Sequence, residues 1–429
     1  MWSYNDIRIK PLMEKIDTFK TAGPGTTRLP FSKEEMEARA FIIGHMEAIG
    51  LTVTTDSIGN ICGRLPGTNP SIAPVWTGSH IDTVLEAGMF DGVAGVVAGL
   101  EAARIIKEYG VPHKRDICIW VYTSEESTRF QMGCIGSRAM AGHLTREELS
   151  RVKDSQGTTL EELLLQRGFQ LDEYTSIEKH PGDVYAAIEL HIEQSASLEH
   201  NQKQIGIVDA ICAPSNLILT LEGEQSHAGG TSMEKRKDAF MAASEISLAL
   251  ERCALHGTSS YTTGTVGFVE ITPNAVNVIP GKVTMSVDVR DCDYQSKNKV
   301  VKTFLAEAAS IAKMRKVRLT VEEKCNDMPM KCDTKIRNLL HEICEKNQMS
   351  YMHTISGAYH DSIFIGQFAP VGMIFVPSKN GISHSPAEWT DFEDIKAGTS
   401  LLIDALIGLA NEEESNAHSH FIESQPAQK

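Results

Sequence analysis

The sequence predicts an α/β domain with a largely parallel sheet, interrupted by a smaller domain of β-α-β-β-α-β order. Apolar strand-like runs alternate with helical patterns through the first half, the order changes between about 212 and 328, and a strand-like run returns at Val371–Val376. Val75-Trp76-Thr77 reads as a strand leading into a polar cluster that starts at Gly78. A helix follows from about Gly92, with Asp91 as its N-cap and Gly110 as its stop. Ile117–Tyr122 and Val184–Leu190 read as further strands.

Within the interruption, Leu217–Glu222 reads as a strand and Lys235–Arg252 as a helix. Strands near Gly264–Val269 and Lys282–Arg290, a helix near Lys297–Lys313 and a strand near Arg318–Glu322 complete the split arrangement. The expected division is residues 1–211 and 329–411 for the α/β domain and 212–328 for the insert. Residues 412–429 are polar and rich in Glu, Ser, Gln and His, and are expected to be disordered.

A chain of 429 residues suits two domains, or one interrupted by another. Its 41% hydrophobic and 6% aromatic content is that of an ordinary globular protein. A net charge of −15 argues against nucleic acid, whose phosphates need a basic surface. It does not exclude a small anionic substrate, because a cleft can oppose the global sign. Met1–Lys20 lacks the apolar run of a secretory signal, and no stretch approaches the ~20 apolar residues that span a bilayer. Nine cysteines without a Cys-x-x-Cys pair argue against a disulfide framework or a Cys-type zinc site. They point to a reducing, cytoplasmic setting.

Four strand-like runs end at, or lead towards, residues that bind metals. The first reaches Gly78-Ser79-His80-Ile81-Asp82 and the second Thr123-Ser124-Glu125-Glu126; the third ends at Glu189-Leu190-His191 and the last runs to Gly381-Ile382-Ser383-His384. Asp91 opens the helix after the first strand. Ligands gather outside the carboxyl ends of strands in open α/β sheets, so these residues can converge from distant positions. Imidazoles mixed with carboxylates suit a divalent cation. Taken singly, His80 or His191 is more often a surface or satisfied core histidine than a ligand, and Glu125-Glu126 more often a solvated pair. The coincidence outweighs those readings, since an acidic pair directly after a buried-looking strand is hard to explain as surface. Asp82, two residues after His80, is placed to orient its imidazole.

Gly78-Ser79-His80-Ile81-Asp82-Thr83-Val84 with Phe90-Asp91-Gly92 resembles the opening motif of the co-catalytic metallopeptidase superfamily, which includes aminoacylases and bacterial carboxypeptidases. Glu189-Leu190-His191-Ile192-Glu193-Gln194, Ser226-His227-Ala228-Gly229, Asn277-Val278-Ile279-Pro280-Gly281 and Asn380-Gly381-Ile382-Ser383-His384-Ser385-Pro386 are similar to its amidase/carbamoylase branch. The resemblance runs from about Thr27 to Leu409. It implies a zinc-peptidase-like catalytic domain, an inserted ferredoxin-like lid and dimerisation domain, and a homodimer.

It also implies roles. His80 and His191 hold one divalent ion, Glu126 and His384 a second, Asp91 bridges them, and Glu125 is the general base. Manganese is the first expectation, with zinc, cobalt or nickel as alternatives. Two such ions sit about 3.5–4 Å apart, which is why a bridging carboxylate is needed. His227 stabilises the oxyanion; its other reading is a helix-flanking histidine. Arg290 grips a substrate carboxylate; its other reading is an ion pair with Asp288 or Asp291. Asn277 helps to hold the carboxylate or carbonyl, and Gln194 holds the ureido nitrogen. In relatives, the lid residues can reach a neighbouring subunit's site.

That branch holds ureidoglycolate, N-carbamoyl-L-amino acid, β-ureidopropionate and allantoate hydrolases. Glu125-Glu126 with Thr128-Arg129-Phe130, Ala210–Ser215, Ile311–Val317 and Ala358-Tyr359-His360-Asp361-Ser362 are most similar to the ureidoglycolate enzymes. Gly357 departs from that pattern, standing where they have arginine, and Asn380-Gly381-Ile382 follows the carbamoylases. The expected pocket loop is Gly357, Ala358, Tyr359 and His360. The expected reaction releases ammonia and carbon dioxide from a ureido acid. A homologue that only binds its ligand is the other class, and the presence of every expected ligand and of the base speaks against it.

Overall fold

The computed structural model describes residues 7–413 except residue 173. It forms two compact units, one ending at Asp209 and resuming over Cys332–Thr354 and from His360, the other Ala210–Lys331 with Ile355–Tyr359. The second unit therefore takes in a short segment that the sequence reading assigned to the first. The expected disorder beyond residue 413 lies outside the described residues.

Four strands form the centre of the first unit: β1 (Val75–His80), β2 (Ile117–Tyr122), β3 (Ala186–Ile192) and β4 (Val371–Val376). They run parallel in the order β2-β1-β3-β4. Every residue in them is buried, which explains why they read as continuous apolar runs rather than alternating ones. The flanks are antiparallel: Ile61–Leu65 pairs with β2, Thr52–Thr55 with Ile61–Leu65, and Ile205–Ile211 with β4. The sheet is thus mixed around a parallel core.

Helices α1 (Val93–Glu108) and α2 (Phe392–Asn411) join the main hydrophobic core against these strands. Helix α1 is buried from Val93 through Ile106. Its approach to the sheet depends on Gly95, where a Cβ would lie 2.3 Å from the Leu190 carbonyl oxygen. The N-cap is Gly92 at φ +66, not Asp91 as the sequence suggested, and no side chain caps this end. The Asp91 carboxylate is therefore free of the helix. The chain passes from β1 to β2 on one side and to β3 on the other, so the carboxyl ends of β1 and β3 flank a topological switch point.

In the second unit, strands Val269–Thr272, Lys282–Asp291, Ala213–Glu222 and Arg318–Asn326 form an antiparallel sheet in that spatial order. Helices Ala239–Leu255 and Tyr294–Met314 pack on it through one core. This is the ferredoxin-like order 2-3-1-4. The helices begin later and earlier, respectively, than their periodicity suggested, because Asp238 and Asp293 cap them. The strand expected at Gly264–Val269 is broken into Thr263–Thr265 and Val269–Thr272. Val283, Met285, Val287 and Val289 face the core, placing Asp288 and Arg290 on the opposite face. Among the described residues, no helix is long and apolar enough to cross a membrane.

Gly95→Val should overpack the α1–β3 contact and cost about 1–3 kcal/mol of stability. A thermal-unfolding midpoint equal to that of the parent protein would show that the close approach is not required.

Candidate metal centre

His80 closes β1 and His191 lies one residue before the end of β3. In the parallel register Thr77 is opposite Ile188, and the same count brings His80 level with His191. Their rings stack with centroids 6.0 Å apart. Asp91, immediately before the α1 cap, meets both: its Oδ1 is 3.2 Å from His191 Nε2 and 3.6 Å from His80 Nε2. Its Oδ2 lies 3.2 Å from His384 Nε2, which is also 3.2 Å from Glu126 Oε1. Two donor groups result, His80-Asp91-His191 and Asp91-Glu126-His384, each with atoms within 4.8 Å of one another. Asp91 belongs to both.

The imidazoles are held by their far nitrogens. His80 Nδ1 donates to the Asp82 carbonyl at 3.0 Å and His191 Nδ1 to the Ile192 carbonyl at 2.9 Å, turning each Nε2 towards Asp91. The Asp82 carboxylate does something the sequence did not suggest: it accepts the backbone N–H groups of Glu125 and Glu126 at 3.2 and 3.0 Å. Asp82 thus orients His80 mainly through its main chain and clamps the acidic pair with its side chain. Glu125 joins neither donor group, and its Oε2 stands 3.7 Å from His80 Nε2.

Three non-glycine residues here adopt left-handed backbone: Ser124 (φ 54), Gln194 (φ 56) and His384 (φ 54). Such strain, of order 1–3 kcal/mol in a sparsely populated conformation, concentrates at functional sites.

The charges are hard to reconcile with a purely structural role. Burial would raise Asp91, but its contacts with His191, His384 and His80 hold it well below the usual carboxylate range. Burial would likewise lower His80, yet Glu125, Asp91 and Asp82 hold it well above. Hydrogen bonds to Asp91 and Glu126 push His384 up to about 11. Burial pushes Glu125 well up, with His80 opposing and Glu126, Asp361 and Asp82 adding. Without a metal, protons on the imidazoles compensate the carboxylates; a divalent cation does so with the same nitrogen and oxygen donors. The residues fit a metal at both groups.

A third group, Glu189-His191-His360, shares His191 with the first. The Glu189 oxygens are taken by Ser79 and Ser362 hydroxyls at 2.8 and 2.6 Å, which marks this group as support behind His191. His360 was expected in the substrate pocket. It is buried and packs edge-on against His191 at 4.5 Å between centroids.

The sequence reading missed Glu388. Its Oε1 accepts the backbone N–H groups of Phe90 and Asp91 at 3.0 and 3.1 Å. Ser383 Oγ lies between Glu388 Oε2 at 2.7 Å and Asp91 Oδ2 at 3.0 Å, and donates its one proton to either. Gly88 leaves the space for Glu388, since a Cβ there would lie 2.4 Å from its side chain. Burial, with Asp91 nearby, pushes Glu388 up to about 7. The available signal was an acid four residues after His384, on the same loop.

Gln194 donates from Nε2 to Asp91 Oδ2 at 2.7 Å, while its Oε1 is buried without a partner. The remaining expected residues belong to the second unit. His227 Nδ1 accepts the N–H groups of Gly229 and Gly230 at 3.1 and 3.0 Å, leaving Nε2 as the neutral ring's donor. The Asn277 carbonyl accepts the Ala228 N–H at 2.9 Å, beside the pairing of Val278 with His227. Arg290 forms the ion pair with Asp288 that was its alternative reading, Nε to Oδ1 at 3.0 Å, and also reaches the Gly357 carbonyl at 3.4 Å. The Ala358 carbonyl accepts from Ser356 Oγ, and Tyr359 donates to Asp327 Oδ2 at 2.6 Å.

A sheet with a parallel core and imidazoles and carboxylates gathered at its switch point has the donor chemistry of a divalent-cation site. This chain belongs to peptidase family M20/M25/M40, whose model matches residues 76–407. It is 38% identical over 397 residues to a ureidoglycolate hydrolase of Arabidopsis thaliana, covering 91% of this chain and 83% of that one. It is also 38% identical over 402 residues to an N-carbamoyl-L-amino acid amidohydrolase of Geobacillus stearothermophilus, covering 94% and 98%. A crystal structure of AtUAH in complex with glyoxylate matches with a TM-score of 0.87 at 36% identity, over 95% of this chain and 99% of that one. The chain is accordingly a metal-dependent hydrolase acting on linear amides, and enzymes of its family use divalent metals.

Glu388→Ala should weaken divalent-metal binding roughly 10–100-fold, the usual cost of losing a group that orients a ligand. Equilibrium dialysis with manganese tests this, and an unchanged dissociation constant would remove Glu388 from the site.

Proposed function

We propose that this enzyme hydrolyses the ureido carbon–nitrogen bond of a small acid at a pair of divalent ions. Ureidoglycolate is the first candidate, with N-carbamoyl-L-amino acids or allantoate as alternatives. The observation that carries the reading is the division of Asp91, one oxygen facing His80 and His191 and the other facing His384 beside Glu126. His80, His191 and Asp91 would hold one ion, and Glu126, His384 and Asp91 the other. Manganese comes first, with zinc, cobalt or nickel able to use the same donors. When bound, such ions polarise a carbonyl and lower the pKa of water.

Glu125 is left over from both donor groups and stands beside them, which suits a general base. It takes a proton from the attacking water and returns it to the leaving nitrogen. Water adds to the ureido carbonyl, the bond to the terminal nitrogen breaks, ammonia departs, and the remaining carbamate loses carbon dioxide. Gln194, whose amide N–H is held on Asp91, would hold the ureido nitrogen. The Nε2–H of His227 suits an oxyanion. Arg290 would bind the substrate carboxylate by exchanging its Asp288 partner for it, with Asn277 and the loop Gly357-Ala358-Tyr359 completing the acid's recognition.

The motif Ala358-Tyr359-His360-Asp361-Ser362 favours ureidoglycolate, while the curated relatives of the two leading classes stand level at 38% identity. A homodimer, in which His227, Asn277 and Arg290 serve their own or the neighbouring subunit's site, belongs to this reading. So does a cytoplasmic location, which nine free cysteines suit.

Ammonia release should be measured on metal-stripped and manganese-loaded protein with ureidoglycolate, allantoate, N-carbamoyl amino acids, β-ureidopropionate and an N-acetyl amino acid. Metal-dependent release from a ureido acid is expected, and hydrolysis of the acetyl compound alone would overturn the reading. Glu125→Gln should keep its metals and lose about 10²–10⁴-fold in kcat; retained turnover would exclude Glu125 as the base. Arg290→Ala should raise KM for the acid with little change in kcat, and an unchanged KM would remove it from carboxylate binding.

A further inference from the structure

We propose that the first unit carries a second ligand site, an effector pocket for an organic monoanion with an aromatic or branched apolar body. A pocket of about 700 Å³ lies among helix Lys33–Ile49, the turn after strand Thr52–Thr55 and the segment after helix Leu160–Gln166. That is the size of a small-molecule site. No residue of the metal centre lines it. Trp120 and Phe169 offer aromatic surface, Met36 and Ile43 a helix face, and Arg167 and Lys179 positive charge.

The lining reverses the sign of the protein. Against a net charge of −15, three cations (Arg39, Arg167 and Lys179) face a single carboxylate, Asp56. Asp56 is already engaged by the Asn60 amide at 2.8 Å and the backbone N–H groups of Ile58 and Asn60. Arg39 is likewise engaged, by Glu35, the Gly59 carbonyl and Thr123. Among the described residues, the Arg167 guanidinium hydrogen-bonds only through Nε, to the Phe31 carbonyl at 3.0 Å, and Lys179 has no ion-pair partner. Charge for an anion is therefore available.

The apolar side of the lining centres on Trp120. The residue is 8% exposed, and among the described residues its buried indole N–H has no hydrogen-bond partner. That N–H is closed to solvent, so what Trp120 offers a ligand is ring surface beside Phe169 and not a hydrogen bond. Apolar body against Trp120 and Phe169, with the anion at Arg167 and Lys179, satisfies every feature of the lining.

The pocket is wired to the catalytic loop. Arg39 donates to Thr123 Oγ1 at 3.1 Å, and Asn60 Oδ1 accepts the Thr123 N–H at 2.9 Å. Thr123 stands three residues after Trp120 and two before Glu125. A ligand that alters the set of Arg39 therefore acts on the segment carrying Glu125 and Glu126, a coupling of the kind that defines allostery.

The test uses 8-anilinonaphthalene-1-sulfonate, an aromatic monoanion that brightens in apolar surroundings, with the full-length enzyme. Saturable one-to-one binding is expected. It should weaken at least about tenfold in Arg167→Glu/Lys179→Glu and for the neutral analogue N-phenyl-1-naphthylamine, the effect of ~1.4 kcal/mol. Ile43→Trp, which fills the pocket without changing charge, should also abolish binding. Equal binding by parent and variants would place the probe elsewhere and overturn the site; equal binding of the neutral analogue would overturn the anion. Saturating probe should shift ammonia-release kcat in the parent but not in the charge-reversed variant, and an unshifted parent would overturn the coupling. The binding readout needs no substrate, so it stands or falls apart from the proposed reaction.

Discussion

The Asp91 carboxylate divides three imidazoles between its two oxygens in a setting that excludes water from all but the His384 side. Removing so many charges from water costs several kcal/mol per ion, repaid only where opposite charges and hydrogen bonds match them closely. Much of the surrounding structure serves that match. Gly92 caps α1 without a side chain, since a Cβ there would lie 2.5 Å from the His80 ring. Glu388 holds the Phe90–Asp91 main chain, and Ser383 joins it to the carboxylate. Asp82 fixes the turn that presents Glu125 and Glu126.

The division also explains the topology. Two histidines at equal height on adjacent parallel strands can share a carboxylate only if it arrives from above the sheet, and the segment leading into α1 delivers it. Gly95 lets that helix sit close enough to the sheet. His384 comes from a loop eight residues past β4, so its position depends on left-handed turns at Asn380 and His384 itself rather than on strand register. The cluster thus joins two imidazoles fixed on strands to one set by a loop.

The strands that lead to His80, Glu125, Glu126 and His191 were legible because burial on both faces turns each into an unbroken apolar run, and a histidine or acid at the end of such a run stands out. The second unit was legible through its order of elements, helped by alternation in Lys282–Asp291. Edge strands such as Thr52–Thr55 were missed because exposed threonines carry no apolar signal. Asp91 read as a helix cap because aspartate before a helix usually is one; nothing local reveals that Gly92 takes that place. Glu388 lay hidden because one acid in a polar loop has no periodicity, and its partners are backbone groups almost 300 residues away. Asp82 was noticed, but which of its groups orients His80 depends on a turn that spacing cannot show. That His360 packs against His191 was not legible either, because a pocket motif does not say which of its side chains turns inward.

The most direct test of the account is anomalous diffraction at the manganese edge from crystals grown with the metal. The account requires two peaks, one beside each oxygen of Asp91, the first contacted by His80 and His191 and the second by His384 and Glu126. A single fully occupied peak at saturating manganese, or two peaks that do not share Asp91, would contradict it.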